Sequence, residues 1–321
     1  MNEIFSQFRD YSIGLKSLSP ATVTNYLQRI QLIERRIGKR FDDITEDDLQ
    51  KYFLELRPIK KLNTIRLEQS AVKVFYRWYC SRYRKPDPSE RLRIVHKEYT
   101  VPELFTMDEL RKMVMACGKN KWGAIRNRAI LVLLADTGIR IGELIQLKVG
   151  NIHYDPINER FRVNIVGSTK ASRQRSFPFC QVRENNIISE NWCIYWQAIK
   201  YVKNWGLEAP LFQSRAYELS GDGPALSRSV YQTLIPKIVK KAGIEKGIHV
   251  HTFRHYYATY CVDNKISLPV LQSRLGHARL ESTLVYVHIA DGLSKDSLQF
   301  NPSKNIKSDI KGFAKAQKEI R

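Results

Sequence analysis

The sequence predicts a mainly α-helical chain of two domains, with a small β-hairpin or sheet set into the second. Three observations predict it. Apolar residues recur at the 3.6-residue period through most of the chain, and capping residues stand at the ends of the runs. Two short stretches near the middle, 160–166 and 175–179, are instead β-rich, and the first of them alternates. A segment rich in Pro and charge, from Lys85-Pro86-Asp87-Pro88 to Val101-Pro102, breaks the helical pattern about a third of the way along. The domain boundaries this implies are 1–98, a linker at 99–105, a second domain at 106–300 and a basic tail at 301–321.

The 321 residues hold 53 Lys+Arg against 32 Asp+Glu, a formal charge of +21, more than solubility requires. A polyanionic partner is implied. Hydrophobic residues at 43% and aromatic residues at 11% are enough for packed cores, which excludes disorder over most of the chain. No apolar run of about 18 residues occurs and the first residues are polar, so neither a membrane partner nor export is expected, and a cytoplasmic location is. The five cysteines, Cys80, Cys117, Cys180, Cys193 and Cys261, are widely spaced without any C-x-x-C. That spacing predicts free thiols and neither a disulfide framework nor a metal site.

The first domain reads as four helices. A short one near Ile4 to Tyr11 is followed by one that opens with Ser19 as N-cap and Pro20 at its first position. Its apolar stripe is Val23, Tyr26, Leu27, Ile30, Ile33 and Ile37, and Gly38 ends it. A third helix starts at Thr45, whose side chain can pair with Asp48 in a capping box, and stops before Pro58. The fourth, about Asn63 to Tyr83, can turn Ile65, Val72, Phe75, Tyr76 and Tyr79 inward, while Arg66, Lys73, Arg77 and Arg84 share another face. Residues 51–100 carry 13 basic and 5 acidic side chains, against 7 and 8 in residues 1–50. The one-signed excess makes that face a candidate for contact with a nucleic-acid backbone, although a Lys/Arg face is commonly just solvated.

The second domain begins at Thr106, which forms a capping box with Glu109. Helices are expected at about 107–117 and 124–136, the latter with an apolar run from Ala129 to Ala135 and a stop at Thr137-Gly138. A short helix over Arg140 to Leu147 precedes the hairpin, whose basic loop is Gly167 to Ser172. Helices resume at about 190–205, 227–242, 251–263, 267–275 and 281–287. The tail holds six basic and two acidic residues with few large apolar ones.

Several residues in this domain can handle anions or protons. Arg140 follows a glycine helix stop in Thr-Gly-Ile-Arg-Ile-Gly-Glu-Leu, where an ion pair with Glu143 at i+3 is the plain alternative. Lys170 lies in the hairpin loop. His251 and Arg254 share one helix face near a helix start, a place that favours anions. His277 follows Gly276 in a helix-end turn, and Tyr286 comes nine residues later. In this order and spacing, the set resembles the signature of the tyrosine recombinase, or phage integrase, family. Thr-Gly-Ile-Arg-Ile-Gly-Glu-Leu, His-Thr-Phe-Arg-His-Tyr-Tyr-Ala-Thr and Leu-Gly-His-Ala-Arg-Leu-Glu-Ser-Thr-Leu-Val-Tyr-Val-His carry the likeness over about 106 to 290. The segment from Ser19 through Tyr83 resembles the helical core-binding domain of that family. One departure is that Ser168 and Thr169 separate Gly167 from Lys170, whereas in Xer-type relatives the lysine directly follows a glycine. Counting back from Pro178 restores the interval, and Arg173 and Arg175 are the alternatives to Lys170.

The resemblance implies a C-shaped clamp around duplex DNA, cutting and rejoining through a 3′-phosphotyrosyl link, and a homotetramer acting on two sites, as in integration, excision or dimer resolution. It also implies an Xer-like or mobile-element integrase associated with the nucleoid. The residue types suit that chemistry. Two guanidinium groups, Arg140 and Arg254, match the nonbridging oxygens of a phosphodiester that gains charge as it is attacked. Tyr286 is the implied nucleophile, and with an ordinary pKa of about 10 it needs an acceptor such as His251 or a positive field. Lys170 is the implied general acid for the departing 5′ oxygen, and His277 adds a hydrogen bond to phosphate. No cofactor and no metal is called for. His255 and His288 read as supporting, Glu143 as steadying Arg140, and Tyr256, Tyr257 and Tyr260 as packing. Thr22, Asn25, Arg29, Lys73 and Arg77 are candidates for base readout. A telomere resolvase or type IB topoisomerase-like enzyme is the rival of the same chemistry; a catalytically silent DNA-binding regulator is the rival of another class.

Overall fold

A computed structural model of the chain describes residues 3–96, 98, 103–118, 121–167, 174–214, 221–277, 280 and 282–287. The chain divides into two compact units, Met1–Thr100 and Val101–Arg321, each with its own core.

The first unit holds α1 (Glu3–Gly14), α2 (Pro20–Ile37), α3 (Glu46–Leu56) and α4 (Leu62–Tyr83). The expected caps are present. Ser19 accepts a bond from the Thr22 N–H, Gly38 closes α2 at φ +77°, and Thr45 and Asp48 form the reciprocal box on α3. All five residues expected to point inward from α4 are buried. Phe75 lies at the centre of an aromatic cluster with Phe5, Phe8 and Phe41, at ring distances of 5.3–5.8 Å and mostly edge to face. A buried carboxylate, Glu68 of α4, accepts hydrogen bonds from the Tyr52 hydroxyl at 2.9 Å and the Lys60 ammonium at 2.6 Å. Charge buried this way is tolerable because it is both paired and hydrogen-bonded, and it ties α3 and the following turn to α4.

The second unit opens with α5 (Met107–Ala116), capped by the Thr106/Glu109 box, and α6 (Trp122–Thr137), whose residues from Ala129 to Ala135 are all buried. After α7 (Ile141–Gln146) come β1 (Ile152–Asp155), β2 (Arg160–Ile165) and β3 (Arg175–Gln181), an antiparallel sheet in that order. The sequence predicts the last two strands; β1 has one buried residue in four and so carries no alternation to read. Val163 pairs with Ile152 on one side and Phe177 on the other. The register slips at Cys180, which adopts φ +50° and donates its N–H to the Asp136 carboxylate at 2.6 Å. Burial raises the pKa of Asp136 to about 6. Then follow α8 (Ile187–Gln197), α9 (Arg228–Lys241), α10 (Val250–Asp263) and α11 (Leu268–Leu275), and residues 282–287 are helical. The helix expected to reach residue 205 ends sooner, passing from α8 into a π-helical turn at Ala198–Val202.

Two features of this unit prepare the site. Gly138 ends α6 at φ +56° and Gly276 ends α11 at φ +63°, both left-handed turns that leave carbonyl oxygens without helical partners. A small apolar cluster of Tyr257, Ala258 and Cys261 from α10, Leu271 and Leu275 from α11, and Tyr286 docks the 282–287 segment. Among the described residues no helix is long and apolar enough to cross a membrane. The cysteines are unpaired, with Cys80, Cys180 and Cys261 buried.

Candidate active site

Three arginines converge where α6, α7, β3, α10 and α11 meet. Arg140 stands at the N-cap of α7; its Nη2 donates to the Gly276 carbonyl at 2.8 Å and its Nη1 to Glu143 Oε1 at 3.1 Å. Arg254, on the buried face of α10, donates from Nη1 to the Gly138 carbonyl at 2.9 Å and from Nη2 to the Leu275 carbonyl at 2.7 Å. Arg175, first residue of β3, donates from Nε to the Arg274 carbonyl at 2.7 Å and from both Nη atoms to Glu143, at 2.9 and 2.8 Å. The ends of α6 and α11 thus supply carbonyl oxygens that carry the negative end of each helix dipole toward guanidinium groups. A Cβ on Gly276 would lie 2.8 Å from Arg175 Nη1 and 3.2 Å from Arg140 Nη1, so the turn needs glycine for its space as well as its φ.

Glu143 is buried and receives both guanidinium groups together with the Arg140 backbone N–H at 3.0 Å. The sequence assigns it to Arg140; the structure adds Arg175, which lies 32 residues along the chain. Arg175, the sequence alternative for a general acid, is therefore engaged in a buried bidentate pair. Burial, then the charge of Arg140, lowers the pKa of Arg254 to about 10, which keeps it protonated near neutrality.

Tyr286 reaches this cluster within its own chain. Only 4% of its surface is exposed. Burial raises the pKa of its phenol, against the nearby positive charges of Arg254 and then Arg140. Its ring stacks on His277 at 6.2 Å and 9°, and packs at 5.6 Å against His255. His277 follows the Gly276 turn; its Nδ1 bonds the Thr283 hydroxyl at 2.8 Å, which couples it to the helical turn that carries Tyr286. Burial first, then Arg254, Arg140 and Arg175, lowers the pKa of His277 to about 4. His255 is lowered to about 4 as well, by burial and then by His251 and Arg254, and its buried Nδ1 has no hydrogen-bond partner among the described residues. His251 keeps an exposed edge; desolvation by the protein around it lowers its pKa, followed by Arg254, His249, Arg228 and Arg140.

Arg140, His251, Arg254, His277 and Tyr286 therefore share one site. Lys170, with Ser168, Thr169 and Arg173, lies outside the described residues, as do His288 and the tail 301–321. Sequence reasoning missed Arg228, whose Nη2 would lie 3.6 Å from a Cβ on Gly142, and Thr283; neither has a local pattern that would reveal it. Tyr257 is buried against Gly138, while Tyr260 is exposed and stacks on Tyr256 at 6.2 Å.

The first unit's candidates fall into two groups. Thr22 bonds Ser19, and Arg29 is held by Asn25 at 2.7 Å and lies 3.7 Å from the buried Glu68, so these side chains have local partners. Lys73 reaches the Glu90 carbonyl at 3.3 Å, Arg66 is half-buried, and Arg77 and Arg84 are exposed.

Known proteins share this sequence and architecture. The phage integrase family matches residues 103–292, more than half of the chain, and the N-terminal SAM-like domain of phage integrases matches residues 4–85. Tyrosine recombinase XerC of Lactobacillus delbrueckii subsp. bulgaricus is 27% identical over 292 residues, 88% of this chain and 93% of the relative. Tyrosine recombinase XerD of Oceanobacillus iheyensis is 28% identical over 282 residues, 86% and 88% of the two chains. The fold matches that of the XerH site-specific recombinase bound to a palindromic difH substrate, with TM-score 0.66 and 17% identity over 90% of this chain and 92% of that one. It also matches a lambda integrase dimer bound to a COC′ core site, with TM-score 0.66 and 17% identity over 89% and 94%. Because the family match spans all of the described arginines, histidines and the tyrosine of the cluster, the chain belongs to the phage integrase family.

Proposed function

We propose that the chain is a tyrosine site-specific recombinase, an enzyme that cuts and rejoins duplex DNA through a 3′-phosphotyrosyl intermediate. The observation that carries this reading is the approach of the Tyr286 phenol to the Arg254 guanidinium, inside a cluster that also holds Arg140 and His277. Arg140 and Arg254 donate hydrogen bonds to the nonbridging oxygens of the scissile phosphate and stabilise the charge that builds there. His277 is neutral at pH 7; when the Thr283 hydroxyl donates to Nδ1, the proton sits on Nε2 and the ring offers phosphate an N–H donor. The Tyr286 oxygen attacks phosphorus while its proton passes to an acceptor, for which the neutral His251 is the candidate, and the bond to the 5′ oxygen breaks as Lys170 protonates that oxygen. The phosphotyrosine conserves the energy of the broken bond, so a 5′ hydroxyl from a second strand can reverse the step without ATP.

DNA is the partner, and the charge of +21 and the basic face of α4 support it. Sequential exchange between two sites calls for a homotetramer, as the family resemblance implies, and the enzyme acts in the cytoplasm at the nucleoid. The test uses a library of nicked duplexes randomised across the site and labelled at the 5′ end upstream of the nick-proximal phosphate. Loss of the short fragment between the scissile phosphate and the nick, which carries away the 5′ hydroxyl, traps the intermediate. Wild type is expected to give a labelled covalent adduct that survives denaturation, and Tyr286→Phe none; an adduct persisting in Tyr286→Phe would reject the nucleophile.

A further inference from the structure

Glu143 poses a problem for a phosphate-binding site, because a buried carboxylate beside Arg140 competes directly with the phosphate for that guanidinium. Left with Arg140 alone, it would take both forks of the group and cancel its charge. The structure resolves this with Arg175. Its two Nη atoms occupy the bidentate seat on Glu143 at 2.9 and 2.8 Å, and the pair is almost wholly buried, with 5% and 1% of the side chains exposed. Arg140 is left with one 3.1 Å contact to the same carboxylate, its second nitrogen on the Gly276 carbonyl, and 32% of its side chain exposed.

We infer that Arg175 is a positioning residue that neutralises Glu143, so that the Arg140 guanidinium keeps its charge and its open face for the scissile phosphate. The cluster then holds three guanidinium groups around one carboxylate, and the surplus charge is turned toward the substrate. Arg175 also anchors the α11 end, through the Arg274 carbonyl and against the Cβ-less Gly276, and this sets the turn from which His277 is presented. It is not placed as a proton donor to the leaving group: its Nε and both Nη atoms are directed at the Arg274 carbonyl and the Glu143 carboxylate, and a guanidinium holds its protons too tightly to serve as an ordinary general acid.

The inference rests on the recombinase reading, and the test separates the two. Single-turnover cleavage is measured on the nicked duplex for wild type, Arg175→Gln, Arg175→Lys and the pair Arg175→Gln/Glu143→Gln, each checked by thermal melting. Arg175→Gln is expected to slow adduct formation roughly 10²-fold, the scale of losing one aligned transition-state donor, here through Arg140. Removing the released carboxylate in the double variant is expected to restore a clear part of the rate, which a purely structural role for Arg175 would not produce. A duplex with sulfur in place of the 5′ bridging oxygen, whose leaving group needs no proton, is expected to leave Arg175→Gln slow; full rescue by sulfur would make Arg175 the general acid and overturn the proposal. If Arg175→Gln does not melt cooperatively, Arg175→Lys carries the test, and its rate must rise when Glu143→Gln is added. Adduct in wild type with no recovery in either pair sinks this proposal alone; no Tyr286-dependent adduct in wild type sinks the recombinase reading and this proposal with it.

Discussion

Tyr286 and the rings around it show how one residue's environment sets its chemistry. Burial holds the phenol protonated before DNA arrives, and Arg254 pulls in the other direction, so the nucleophile is close to its charge partner without being ionised. The same burial keeps His277 and His255 neutral far below the ordinary histidine range, at about 4. This has a sign for stability. A histidine whose folded pKa is depressed refuses protons that the unfolded chain accepts, so between about pH 6.5 and 4 stability falls as pH falls. Asp136 works oppositely: with a folded pKa of about 6, it gains protons in the folded state first and stabilises the fold as pH drops from there toward 3.8. The clean measurement is therefore a difference. Urea melts at pH 7.5 and 4.5 are expected to show a larger loss in wild type than in His277→Gln, and equal losses would contradict the assignment. Thr283→Val is expected to cost about 1 kcal/mol, the usual net worth of a hydrogen bond, and to slow adduct formation by loosening His277.

At the level of elements, helix ends do most of the placing. The terminal carbonyls of α6 and α11 are groups that secondary structure leaves unsatisfied, and here guanidinium groups satisfy them, while the Glu143 carboxylate accepts the backbone N–H at the N-cap of α7. Gly276→Ala is the sharpest test. The left-handed φ of +63° costs a non-glycine residue about 1–2 kcal/mol, and the new methyl would sit 2.8 Å from Arg175 Nη1. A fall in melting temperature is expected together with a drop in cleavage larger than that of a solvent-facing substitution; full activity would mean the turn is not coupled to the arginines. Elements are also where the sequence was most and least legible. Ser19, the Thr45/Asp48 box, the Thr106/Glu109 box and the stops at Gly38 and Gly138 are local codes, readable within four residues. Strand β1 was not legible, since its four residues bury one side chain and borrow their order from β2. The early end of α8 is likewise a tertiary effect, where Ile199 within the π-helical turn and Trp205 just beyond it pack inward.

For the molecule as a whole, the surplus of +21 charges predicts DNA binding that weakens steeply with salt. If the exposed arginines of the α4 face touch the backbone, Arg77→Gln/Arg84→Gln is expected to lower the slope of log Kd against log salt by about 0.9 for each phosphate that is no longer neutralised. Arg29→Gln belongs to a different class, since Arg29 is held by Asn25 and sits beside Glu68; it is expected to reduce the stability of the first unit more than it reduces the salt slope. An unchanged slope in the double variant would move the backbone-binding surface to another face.

The sequence by itself determined most of the helices, two of the three strands, several caps and the roster of groups able to handle phosphate, because periodicity, capping and motif spacing are written along neighbouring residues. Through the order of its motif blocks, the family resemblance also implied that Arg140, Lys170, His251, Arg254, His277 and Tyr286 belong together. Only the tertiary structure decided who pairs with whom: Glu143 with Arg175, His277 with Thr283, Tyr286 between two imidazoles. Those choices depend on how α10, α11 and the 282–287 segment pack over a shared apolar cluster, and a pairing made across many residues of chain leaves no mark in the residues on either side of it.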